Sequence, residues 1–365
     1  EISLGLVGSE MCIRDRIIAD RWIPAQRLLG LCHLFAAGFI TLAATRTDYN
    51  SLYTLVLLSV MFYMPTIALS NSVAYNALEK AGLDTVTHFP PIRVWGTVGF
   101  ICAMWVVDLG KMGLSATQLY FSATLGLILG LYSFTLPNCP INRSGGGKSI
   151  VDLLGLRAFA LFKQRKMAIF FIFSMLLGMS LQITNAFADG YIKSFGDTGI
   201  HGAKYLGTFG VEHSTILISL SQISETLCIL LIPFFLKRFG IKRVMLIAMF
   251  AWVLRFALLG AGNPGPGVWM FILSMIVYGV AFDFFNISGS LFVEKETSAA
   301  IRSSAQGVFM IMTNGLGALI GSYLAGWVVN HYGWPLSWYL FAGFSLVVAI
   351  VFAVIFKYKH DPNRI

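Results

Sequence analysis

Apolar residues run along this chain in long uninterrupted blocks, without the 3.6-residue or alternating periodicity of half-buried helices and strands. Blocks of about 17–26 residues lie near 28–45, 52–75, 90–108, 118–136, 167–192, 211–236, 243–261, 267–291, 304–329 and 335–356. That is the length a helix needs to cross a hydrocarbon layer of about 30 Å. Backbone amides in lipid must bond within their own segment, so helices are the spanning form here. The pattern predicts ten transmembrane helices in an all-α integral membrane protein. The longest polar break, "PNCPINRSGGGKSIVDLLGLRAFALFKQRK" at 137–166, carries a Gly triplet and six basic residues. It reads as a cytoplasmic linker with one surface helix, between four spans and six.

Composition strengthens this picture. Of the 365 residues 57% are hydrophobic and only 12% charged, where soluble proteins carry roughly 25% charged residues. A net charge of +9 could by itself suggest nucleic acid, but the basic residues bunch in alternate short loops. Of the 26 Lys and Arg, 20 fall on one set of alternate loops and tails, 4 on the other, and Arg93 and Arg255 inside apolar runs. This asymmetry places both ends in the cytoplasm and makes lipid, not nucleic acid, the partner of the surface. The five cysteines show no C-x-x-C spacing and three lie inside apolar runs, as small core residues would and metal ligands would not.

The stretch "IADRWIPAQRLLGL" (18–31) resembles "FLKRFGIKRVMLIA" (235–248), a basic turn followed by a new apolar run. Two spans precede the second copy and none precedes the first. If the halves are structural repeats, as in many secondary carriers, the first half lacks two helices. Residues 1–16, "EISLGLVGSEMCIRDR", look like translated adapter sequence and are expected to be non-native.

Polar groups inside the runs are the candidate chemistry, because a charge buried in a bilayer costs a few kcal/mol or more. Glu225 sits at the centre of "LISLSQISETLCILLIPFF", with Gln222 on the same face. It either carries a proton and touches substrate or pairs with Arg255 to join helices. Asp283 lies in "VYGVAFDFFNISGS" beside Tyr278 and Phe282 at i, i+4. Aromatic faces next to an acid suit a flat, hydroxylated ligand, though aromatics also line ordinary spans. Arg93 follows Pro90–Pro91, with Thr97 and Phe100 on its face; it either reaches a ligand or snorkels to the membrane surface. Gln182 and Asn185 in "LQITNAF" are i, i+3 amides that could join helices or read the edge of a base. No nucleophile elbow, zinc motif, phosphate loop or His/Cys cluster is present, which argues against an enzyme or an ATP-driven pump.

The stretches "DTVTHFPPIRVWGTVGF", "AIFFIFSMLLGMSLQITNAF", "SQISETL", "IVYGVAFDFFNISGSLFVEKE" and "RSSAQGVFMIMTNG" resemble the bacterial nucleoside–proton symporter family of the major facilitator superfamily. The resemblance covers residues 17–360 and implies a twelve-helix fold of two six-helix domains. About ten of those helices are expected here: four in an incomplete bundle at 17–136, then the linker, then six at 167–360. It implies nucleoside uptake across the bacterial cytoplasmic membrane by proton symport, without a cofactor beyond the proton gradient. It also implies that Arg93, Thr97, Phe100, Gln182, Asn185, Gln222, Glu225, Tyr278, Phe282 and Asp283 contact substrate, with Glu225 and Asp283 as the candidates for proton coupling. A proton-coupled sugar or polyol carrier and a truncated, non-transporting membrane protein are the alternatives.

Overall fold

The structure is a computed structural model that describes residues 23–83, 85–113, 115–139, 156–197, 204–297 and 302–358. The expectation of a non-native start at 1–16 and most of the 137–166 linker lie outside the described residues. Each of the ten predicted apolar runs is helical. In chain order the helices, apart from a single turn at Phe209–Glu212, are α1 (Ala25–Ala44), α2 (Tyr49–Lys80), α3 (Thr85–Leu109), α4 (Thr117–Ser133), α5 (Arg165–Ser194), α6 (Ser214–Ala261), α7 (Val268–Glu296), α8 (Arg302–Met310), α9 (Ala318–Tyr332) and α10 (Trp334–Ile355). A 3-10 helix, Leu156–Lys163, precedes α5, within the region where one surface helix was expected. Among the described residues seven of these helical stretches, α8 and α9 taken together, are long and apolar enough to cross a membrane.

The structure agrees with the basic turn read at 235–248 and differs from the sequence expectation at 304–329. The runs at 211–236 and 243–261 are two helical arms, together α6, that meet at a kink at Gly240, whose φ of 75° lies in the left-handed region. A Cβ disfavours that conformation, which is why a glycine stands at the turn. The run at 304–329 is not continuously α-helical, because Ile311–Gly317 forms a π-helical segment between α8 and α9. Apolar content carries no trace of that change in winding, and π segments occur mostly as single-turn insertions in α-helices.

The described residues form two compact units, one within Glu1–Gly99 and Leu109–Leu156 and the other within Phe100–Asp108 and Arg157–Ile365. In the first unit α1 packs on α2 and α4. Ser59 Oγ donates to Ala36 O at 2.9 Å, and a Cβ on Gly30 would come within 2.9 Å of Gly130 O. Asp48 caps α2 by accepting from Ser51 N at 2.9 Å; these bonds from Ser51 hold its carboxyl below the usual range. After α4 the chain is fastened by Gln26, which bonds Asn138 and accepts from Cys139 N at 3.0 Å.

In the second unit α7 packs against both arms of α6, and Phe170, Phe292 and Phe309 gather at 4.7 and 5.3 Å between ring centres. Glycines let α5 meet the π segment and α9 backbone to backbone. A Cβ on Gly178 would fall 2.0 Å from Thr313 O, and one on Gly321 2.7 Å from Met179 Cα. Ser180 and Ser345 hydroxyls, 3.2 Å apart, tie α5 to α10. The C-terminal segment of α3 joins this unit through Trp105 Nε1, which donates to Ser219 Oγ at 2.8 Å, and through Asp108, 2.6 Å from His213 Nδ1. Polar residues such as Ser174, Ser274, Arg255 and Asp283 are buried, whereas Leu230 and Val354 are 74% and 70% exposed. That is inside out for a water-soluble protein and suits a chain solvated by lipid.

Candidate functional site

The candidate residues of the second unit sit where α6, α7 and α5 meet. Small residues make that meeting close. Gly279 on α7 has no room for a side chain, since a Cβ would lie 2.6 Å from Ser224 O on the first arm of α6. Ser224 Oγ donates to Ile276 O across the same contact, and Ser221 Oγ donates to Met275 Sδ at 3.1 Å. With the helices in this register, Glu225 follows Ser224 on one side and Tyr278 precedes Gly279 on the other.

The result is a cluster. The Tyr278 and Phe282 rings are stacked at 5.7 Å with 14° between planes. The Asn185 side chain on α5 and the carboxyl groups of Glu225 and Asp283 all lie near the Tyr278 hydroxyl. Glu225 and Asp283 are also close enough to repel one another when both are ionised. Asp283 is 4% exposed, and its Oδ2 has no hydrogen-bond partner among the described residues. Glu225, Gln222 and Gln182 are half-buried, and Asn185 is exposed. Beside Phe282 lies a cavity of about 20 Å³ that also meets Asn286 and Asn314, room for about one water.

Arg255 departs from the expected ion pair. Its guanidinium is 2% exposed, donates to Ser274 O at 2.5 Å, touches Met275 Sδ at 3.8 Å and lies 4.6 Å from the Tyr278 ring centre. Its bonds go to α7 backbone, sulfur and a ring, none of them a carboxylate. Asn314 and Arg255 are the neighbours of this cluster that sequence reasoning did not assign to it. The only sequence signal for Arg255 was a charge in an apolar run, and Asn314 had none.

Of the remaining candidates, Arg93 and Thr97 lie on the part of α3 that belongs to the first unit. Thr97 is half-buried, and the side chain of Arg93 lies outside the described residues. Phe100 opens the segment of α3 that belongs to the second unit and is 54% exposed. No group of three or more His, Cys, Asp or Glu side chains able to hold a metal occurs among the described residues.

Comparison with known proteins bears on what such a cluster serves. A family model described as nucleoside H+ symporter matches residues 3–361. The nucleoside permease NupG of Escherichia coli strain K12 is 50% identical over 365 residues, covering 98% of this chain and 86% of that protein. The xanthosine permease of the same strain is 50% identical over 356 residues, covering 96% of this chain and 84% of its own length. A crystal structure of a NupG variant superposes with a TM-score of 0.92 at 49% identity, covering 97% of this chain and 89% of that one. The fold is therefore of the major facilitator type, and the chain is a multi-pass membrane transporter, not an enzyme. It belongs to the nucleoside–proton symporter family.

Proposed function

We propose that this protein imports nucleosides across the bacterial cytoplasmic membrane together with protons, by alternating access. The observation that carries the reading is one cluster: a stacked Tyr278–Phe282 pair, the Asn185 amide, and two acids of which Asp283 has an unpartnered oxygen. Stacked rings offer a face to a flat base, and the amides of Gln182, Asn185 and Gln222 suit the donor and acceptor edges of base and ribose. Glu225 and Asp283 suit ribose hydroxyls or the proton. Arg93, Thr97 and Phe100 on α3 are assigned to substrate contact as well.

The acids also make physical sense of coupling. A carboxylate in a span is costly while charged, so closing the site around it is easier once a proton neutralises it. Each charge moved inward releases about 2.3 kcal/mol per 100 mV of membrane potential, enough to support a nucleoside gradient on the order of 50-fold.

Uptake of radiolabelled uridine and adenosine, in cells lacking their own nucleoside carriers and with the protein verified in the membrane, tests this. Uptake should be abolished by a protonophore and competed by unlabelled nucleosides but not by sugars. Uptake that ignores the protonophore would overturn symport, and accumulation of a labelled sugar instead would move the substrate to the polyol class.

A further inference from the structure

A guanidinium at 2% exposure in the middle of a span is among the most costly groups a membrane helix can hold. Arg255 meets that cost without a carboxylate. It donates to the Ser274 carbonyl, brushes Met275 sulfur, leaves Nε without a hydrogen bond among the described residues, and faces the Tyr278 ring at 4.6 Å. Anchoring helices alone would be served at lower cost by a serine, and one is already present: Ser274 Oγ donates back to Arg255 O at 3.2 Å. What the cation adds is its hold on the ring. A cation over an aromatic face is attracted by the ring quadrupole, and the attraction strengthens when water is excluded.

Tyr278 passes that hold on. One face of its ring meets Arg255, Phe282 stacks nearly parallel to it at 14°, and Trp252 meets it edge-on at 6.0 Å and 89°. We infer that Arg255 is a positioning residue for substrate recognition: bearing on Tyr278, it fixes the plane of the Tyr278–Phe282 stack against which the flat base packs. The inference rests on the reading of this cluster as a nucleoside site. It assigns Arg255 no contact with substrate and no part in proton transfer.

The test is calorimetric titration of the purified full chain with adenosine and with uridine. Wild-type protein that binds neither sinks the nucleoside reading and this inference with it. Given wild-type binding, Arg255→Met should weaken adenosine binding about tenfold and alter the adenosine-to-uridine ratio, because the two bases cover different areas of the stack. Arg255→Lys should fall between, since its ammonium keeps the charge but lacks a flat face. Affinities and ratio unchanged in Arg255→Met would overturn the inference alone. So would a loss of thermal stability with the ratio intact, which marks a purely structural residue. Should Arg255→Met fail to reach the membrane, Arg255→Lys decides by the same ratio. In a Tyr278→Leu background the lysine change should have no further effect, and an additive loss there would also count against it.

Discussion

The nearness of Asn185 to the Tyr278 hydroxyl offers a direct handle on single side chains. Asn185→Ala and Tyr278→Phe each remove one member of this neutral polar pair, an interaction worth about 0.5–1.5 kcal/mol where two such groups hydrogen-bond. Either change should raise the KM for nucleoside uptake about 3–10-fold, and the double variant should be no worse than the poorer single one. Fully additive losses in this cycle would show that the two groups act independently. At this scale the acids were legible in the sequence, because a carboxylate stands out in an apolar run whatever surrounds it. The role of Arg255 was not. Sequence shows a charge but not its partner, and the partner here is a ring 23 positions further on, brought close by the backbone contact of α6 with α7. The guanidinium turns to Ser274 O and the Tyr278 face, so the alternative of a pairing with Glu225 is not the one it takes.

Between elements, α5 meets the π segment backbone to backbone at Gly178 and Thr313. Gly178→Leu would drive a side chain into a carbonyl that already occupies its space, so the helices must separate. Overpacking of this kind costs about 1–3 kcal/mol or more. The expected outcome is a lower melting temperature in detergent and less protein in the membrane. Gly38, whose Cβ would meet nothing within 4 Å, serves as the tolerant control for the same substitution. Helix positions were readable from apolar run length alone, as all ten runs show. Winding was not. Nothing in "IMTNGLG" distinguishes a π segment from an α-helix, whereas the charges of "KRFGIKR" marked the turn that Gly240 makes. Run length reports how much chain lipid can cover, whereas backbone winding depends on neighbours distant in sequence.

Taken whole, the molecule is defined by an asymmetry of charge, with 20 basic residues on one set of alternate loops and tails against 4 on the other. Positive loops stay in the cytoplasm, so a fluorescent protein fused at the C-terminus should light up, while alkaline phosphatase fused there should stay inactive. The opposite pair of results would reverse the topology. The helical fold was legible at this scale because lipid imposes one spanning form on any sufficiently apolar run. The membership of the second unit was not, since it recruits Phe100–Asp108 across a wide gap in sequence. That recruitment matters to anyone who would dissect the protein. A fragment that begins at Arg157 omits Trp105 and Asp108, strips Ser219 of a donor and leaves His213 without its carboxylate. Dividing the gene at its obvious polar seam therefore yields a wounded half, and any complementation in trans must supply the end of α3 on the companion piece.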